Sequence, residues 1–401
     1  MASSSVFRFL LFVLLFLFVY GPPFRGLPIN ISALLSLVAY SHLLYMGKLG
    51  EAFYVFRREM LLLFFLCLYS VFVSVFSGEA VNYSIFIILF LNIPVCCWLF
   101  YCFMRASSSL GMDPYFYFVR MLGVIAAVSS VLSLVMWVNQ DFGNYVKFGI
   151  MKYDAELMVY QMHRGFGLSD ELLFSYSLVQ GCILLIVVGY FGLRVSTLAL
   201  AALVFLSISV NARIGYVLFL GLLFLPGVWS LKSWLLVIFS ASFFLAVIFF
   251  LGDIAIFDFV FNQFEYFYND IMGRTGTSTL SILFGEMFFL PESVLGLIFG
   301  TGENVFYRAV GGSDVGYVIL LHFGGILYLT GVLVFFALCF VRGRSVGGDF
   351  VSLIAILFMA IMAHFKGLFF APKPGLHLFL VVYVFYILGA LYRKSPLEDW
   401  R

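Results

Sequence analysis

Residues 314–341 read DVGYVILLHFGGILYLTGVLVFFALCFV, a run in which Asp314 is followed by no further Asp, Glu, Lys or Arg until Arg342. At a helical rise of about 1.5 Å per residue, such a run outlasts the roughly 30 Å of bilayer hydrocarbon. It therefore reads as a membrane span, and the rest of the chain repeats its composition. Hydrophobic residues make up 64% of the 401 and charged residues 10%, with a mean hydropathy of +1.11; a soluble domain carries about one-quarter charged residues. Comparable runs lie near residues 28–46, 60–77, 83–104, 121–139, 172–192, 195–211, 214–231, 233–251, 350–366 and 375–392. With the apolar opening of the chain, these predict an all-α polytopic membrane bundle of about 12 transmembrane helices. Residues 1–401 are expected to form a single integral membrane domain.

The opening, MASSSVFRFLLFVLLFLFVYGPP, has one cation before its apolar run and no small-residue cleavage site, so it is read as a retained first span. Placing alternate connections in the cytoplasm collects Arg8, Lys48, Arg57, Arg58, Arg105, Arg120, Arg194, Lys232, Arg342, Arg344, Arg393, Lys394 and Arg401 there, 13 of the 22 basic residues. Basic residues favour the cytoplasmic side, so both termini are expected inside. The acidic residues go the other way, with Glu51, Glu59, Asp113, Asp349, Glu398 and Asp399 inside and the other 14 outside. This topology leaves two long segments outside, 140–171 and 252–313, whose aromatic content favours short amphipathic helices on the membrane, as at 257–268, over disorder.

The net charge of +2 and the lack of a dense basic run argue against a nucleic-acid partner. Cys67, Cys96, Cys97, Cys102, Cys182 and Cys339 all fall in apolar runs without CxxC spacing and read as packing residues. The five histidines are scattered, so no metal and no cofactor are expected.

Charge inside so apolar a chain marks where chemistry is to be sought. Residues 252–312 hold seven acidic residues against only two cations, Arg274 and Arg308, and Asp314 follows at once. The two arginines suit surface ion pairs or a clamp on diphosphate oxygens, which guanidinium forks bind bidentately. Arg213, in VNARIGY, sits in a short outside turn where the positive-inside bias opposes it; it reads as a headgroup anchor or a functional cation. His163 and Arg164, in MHRGFG, are further candidates in the first long segment. Asp314, in GGSDVGY, reads either as a helix N-cap shared with Ser313 or as a carboxylate that takes a proton from a substrate hydroxyl. Glu303, in GTGEN, is a second candidate base; no Lys-Ser/Thr follows those glycines, so they are not a nucleotide loop. His322 reads as a packed core residue.

Outside the cytoplasm no nucleotide pool exists, so glycosyl transfer there needs a lipid-anchored donor with a diphosphate leaving group. Cations for the diphosphate, a carboxylate for the attacking hydroxyl and a groove for the isoprenoid are the required parts. On this layout, on Asn211-Ala212-Arg213-Ile214-Gly215-Tyr216, and on Gly312-Ser313-Asp314-Val315-Gly316-Tyr317 with Gly324-Gly325 and Gly331, the chain resembles the Wzy-type O-antigen (surface polysaccharide) polymerases of Gram-negative bacteria. Arg274 with Gly285 matches an Arg-x10-Gly pattern found in that family; Arg164 departs from it, having Ser175 at the corresponding place.

The resemblance implies a GT-C-like fold with two periplasmic loops in the bacterial inner membrane. It implies polymerisation of undecaprenyl-diphosphate-linked oligosaccharide repeat units at the periplasmic face, alongside a polysaccharide chain-length regulator, for lipopolysaccharide biosynthesis. Asp314, Arg213 and Arg274 would be catalytic, and Arg308, Arg164, His163, Glu303, Tyr216 and Tyr317 would bind diphosphate or sugar. An O-antigen ligase shares the layout but generally has a periplasmic histidine where this chain has Ser313-Asp314. A lipid-linked oligosaccharide flippase would show charge deep in its spans, and none is predicted here.

Overall fold

A computed structural model describes residues 2–27, 31–78, 84–153, 164–170, 174–212, 214–221, 268–269, 286–307, 312–347, 350–365 and 374–394. Those residues are helical apart from turns, extended connections and one isolated bridge between Phe24 and Met151. Among them, five helices are long and apolar enough to cross a membrane, and shorter apolar helices accompany them. The apolar run expected at 233–251 and the surface helix expected at 257–268 lie outside the described residues, Tyr268 excepted.

The chain divides into two compact units, one of Met1–Ile31 and Ala106–Thr275, the other of Ser32–Arg105 and Gly276–Arg401. In the first, α1 (Ala2–Tyr20) packs on α6 (Pro114–Val138), which packs on α8 (Phe174–Phe191) and α9 (Val195–Ser209), while α10 (Gly215–Gly221) lies on α8. α6 starts earlier than the apolar run expected at 121–139, because Asp113 caps it: Oδ1 accepts the Phe116 amide at 2.9 Å, and Pro114 follows in the first turn. Asn139 ends α6 and starts α7 (Gln140–Asn144) by accepting the Phe142 amide at 3.0 Å. A π-helical turn, Tyr145–Ile150, comes next. α8 is buried from Phe174 through Val188, as expected of a central helix that is apolar all round.

The second unit holds α2 (Ile31–Tyr45), α3 (Leu49–Val55), α4 (Arg57–Ser77), α5 (Ser84–Ser108), α11 (Val294–Phe299), α12 (Gly316–Val346), α13 (Phe350–His364) and α14 (Pro374–Lys394). Its centre is α14, buried from Pro374 through Ala390. α4 begins at Arg57, ahead of the run expected at 60–77, and so takes Glu59 into the helix, where it is 1% exposed. The helix thus starts ahead of the expected span and includes Glu59 in its first turn. Arg342 Nη1 lies 2.5 Å from both Glu59 carboxylate oxygens, Arg342 Nη2 donates to Val55 O at 2.5 Å, and the Tyr383 hydroxyl donates to Glu59 Oε1 at 2.6 Å.

The run that opened the sequence analysis is not one continuous helix. α12 is interrupted at Gly325, with φ 69° and ψ −172°, a conformation that only glycine adopts without strain. The carbonyls freed by the break are met by the GTGEN segment: Thr301 N donates to His322 O at 2.7 Å and Gly302 N to Phe323 O at 3.0 Å. The Tyr69 hydroxyl closes the junction, at 3.0 Å from Phe299 O and 3.1 Å from Gly324 O. A Cβ at Gly300 would collide with the Phe323 carbonyl, and one at Gly325 with that of Ile298. One at Gly331 would sit 2.6 Å from Leu66 Cδ2, so that glycine lets α4 approach α12. Gly325→Ala is expected to lose roughly 1–3 kcal/mol from backbone strain alone, with the collision adding to it. Thermal unfolding of the detergent-purified protein reads this, with Gly26→Ala, where a Cβ meets nothing within 4 Å, as the unaffected control.

Candidate functional site

Two groups of candidate residues stand in the two units. In the first unit, Arg164 opens a segment held down on α6 and α8. The Ser133 hydroxyl donates to Gly165 O, and the Ser129 hydroxyl to Gly167 O at 3.1 Å. The Tyr176 hydroxyl lies 2.9 Å from Ser207 Oγ and receives Gln180 Nε2 at 3.0 Å; the same amide reaches the Tyr20 hydroxyl at 3.1 Å. Tyr20, Ser129, Ser133, Tyr176, Gln180 and Ser207 are all 0% exposed. Gly167 and Leu168 are both left-handed, φ 54° and 67°, and this network over-determines the turn they make.

The network reaches the turn that carries Arg213 in sequence. Asn211 Nδ2 donates to Ser133 Oγ at 2.8 Å and to Ser207 O at 2.7 Å. Ser133 thus ties Asn211, two residues before Arg213, to Gly165, the neighbour of Arg164. Tyr216, a candidate for substrate contact, is 3% exposed, and its hydroxyl bonds Ser209 Oγ at 2.7 Å, so it secures the same turn from its far side. Ser133→Ala is expected to cost about 1–3 kcal/mol, because it takes from the Asn211 amide one of its two acceptors and from the Gly165 carbonyl its hydroxyl donor in a buried site. The check is thermal unfolding, paired with activity at matched protein level.

In the second unit, Asp314 precedes α12 but does not cap it. The cap position is Val315, with no side-chain bond; the Ser313 hydroxyl accepts the Val315 amide at 3.1 Å and donates to Met287 O at 2.7 Å. Ser313 N reaches Val305 O at 3.2 Å, which brings the Glu303–Val305 stretch against the Asp314 turn. Val305, Val315, Val318 and Ile319 form the apolar floor there, with Met287, Phe289 and Tyr317 around them. Asp314 Oδ1 is buried and has no hydrogen-bond partner among the described residues. One turn on, Tyr317 stacks on His364 at 5.3 Å and donates to Ile361 O at 3.2 Å. His322 is 4% exposed, with its ring against Phe289 at 4.9 Å.

His163, Arg213, Arg274 and Arg308 lie outside the described residues. Three cations that the sequence reading did not single out stand together in the first unit. Lys147, in the π-helical turn, is 0% exposed with Nζ 5.5 Å from the Phe166 ring centroid, and burial pushes its ammonium down to about 8. Arg25 and Lys152 line a cavity of about 550 Å³ beside it. By the charge-derived topology all three face outside, the same signal that drew attention to Arg213. No family model matches this chain, and no curated protein matches it.

Proposed function

We propose that the chain is a membrane glycosyltransferase of the O-antigen polymerase kind. In this reading it is a GT-C-like bundle of about 12 helices in the bacterial inner membrane, both termini cytoplasmic. It joins undecaprenyl-diphosphate-linked repeat units at the periplasmic face, beside a chain-length regulator. The observation that carries the reading is Asp314: an acidic side chain with a buried oxygen that has no partner among the described residues, not used to cap the helix, at the mouth of an apolar helix. Native structures seldom leave a buried polar atom unpaired without a functional reason. A hydroxyl donor from the acceptor sugar would satisfy Oδ1 and place its proton for removal. The remaining roles in this reading are those the resemblance assigns: Arg213, Arg274 and Arg308 for the departing diphosphate, Arg164 as a further cation for it, and Glu303 and Tyr317 for the acceptor.

The test is the lipopolysaccharide profile of a host lacking this gene, alongside the complemented strain. The polymerase reading expects a core bearing one repeat unit, restored to a ladder by complementation. A core with no repeat unit would overturn it. Ligase loss would then accumulate lipid-linked chains outside, and flippase loss would not.

A further inference from the structure

The Phe24–Met151 bridge joins the connection after α1 to the stretch that follows the π-helical turn, with Arg25 N on Ile150 O at 2.9 Å and Lys152 N on Pro23 O at 2.6 Å. In an antiparallel pair, residues next to a bridged couple point to its opposite face. Arg25 and Lys152, 127 positions apart in the chain, are therefore set on one face of the ribbon. Arg25 Nη1 donates to Phe148 O at 2.5 Å, which leaves the rest of its guanidinium fork toward the cavity that it lines with Phe148, Met151, Lys152 and Tyr153.

Among the described residues neither Arg25 nor Lys152 has a carboxylate at ion-pair distance; Asp154 and Glu156, next in sequence, lie outside them. Exposed apolar side chains lie close by in the chain: Leu27 is 43% and Ile150 38% exposed. Paired cations in a cavity otherwise lined by Phe148, Met151 and Tyr153 match a phosphate group whose attached chain lies in the membrane.

We infer that the Arg25–Lys152 cavity binds the phosphate headgroup of a membrane lipid. The inference concerns binding and stands whether or not the chain transfers sugars.

The test uses the full chain purified in an uncharged detergent, with native mass spectrometry counting bound molecules. The probes are farnesyl diphosphate, dioleoyl phosphatidylglycerol and inorganic diphosphate, titrated against the parent, R25A/K152A, K152E and, as an equal charge loss elsewhere, R344A/K394A. K152E leaves the Arg25–Phe148 bond in place, so its loss of binding is not a loss of the ribbon. The expectation is at least about tenfold weaker binding of a lipid phosphate by both cavity variants, with the control like the parent. Binding of farnesyl diphosphate alone identifies an isoprenyl diphosphate as the occupant; equal binding of phosphatidylglycerol identifies a bulk headgroup. Cavity variants that bind like the parent, an equal loss in R344A/K394A, or inorganic diphosphate binding as tightly as either lipid would each overturn the proposal.

Discussion

Glu59→Ala is expected to destabilise the protein by roughly 3–5 kcal/mol, the range for removing one partner of a buried ion pair. The carboxylate is 1% exposed and receives Arg342 on both oxygens and Tyr383 on one. Without it, the Arg342 guanidinium is left stacked over the Phe56 ring, 5.1 Å from the centroid, with the Val55 carbonyl as its remaining described partner. The pair joins α4 to α12 and, through Tyr383, to the central α14, so the loss is felt at the heart of the second unit. Tyr383→Phe should cost less, about 1–3 kcal/mol, because the salt bridge survives. Glu59→Leu with Arg342→Met should recover most of the loss, since well-packed apolar replacements of buried pairs are often neutral or better. Thermal unfolding in detergent of the three variants decides this: a double variant as unstable as Glu59→Ala would mean that packing, not charge, carries the effect.

On the polymerase reading proposed above, Asp314→Asn is expected to lower polymerisation by about 10²–10⁴-fold, the usual yield of a positioned acid or base. The amide is nearly isosteric, and the carboxylate it replaces neither caps α12 nor bonds a described neighbour through Oδ1, so unfolding temperature and protein level should stay at the parent's. Ser313→Ala tests the other half. It removes the bonds to Met287 O and the Val315 amide and should loosen the turn, with stability and activity falling together. Wild-type ladder length in Asp314→Asn at matched protein level would remove Asp314 from the mechanism.

The helices were legible because long apolar runs carry their own evidence: nothing but a buried or lipid-facing helix satisfies the backbone of such a segment. Their ends were less so. α6 begins at the Asp113–Pro114 cap, a local signal, but α4 absorbs Glu59 only because Arg342 and Tyr383 wait there, hundreds of residues on. The break in α12 was hidden for a different reason. A Gly-Gly pair inside an apolar run is compatible with an unbroken membrane helix, and only the GTGEN segment docking on the freed carbonyls makes the interruption necessary.

Asp314 was found by its charge, and the residues that deny it a capping role, Ser313 and Met287, could not be read from spacing. Arg25 and Lys152 carried the same signal as Arg213, cations that the expected topology puts outside. Divided between two connections, they looked like background until the Phe24–Met151 bridge placed them together.

The interruption of α12 also measures depth. Arg342, held by Glu59 at the first turn of α4, ties one end of both helices together. From there back to Gly325 is 17 residues, or about 26 Å of helix, close to the roughly 30 Å of hydrocarbon. The stretch from the break to Arg342 is thus close to a bilayer's thickness by itself, and residues 316–324 add to it. They work as a spacer that sets Asp314 apart from the break by their own length. On the polymerase reading proposed above, that reach would let the carboxylate meet an acceptor hydroxyl several atoms out along a sugar chain.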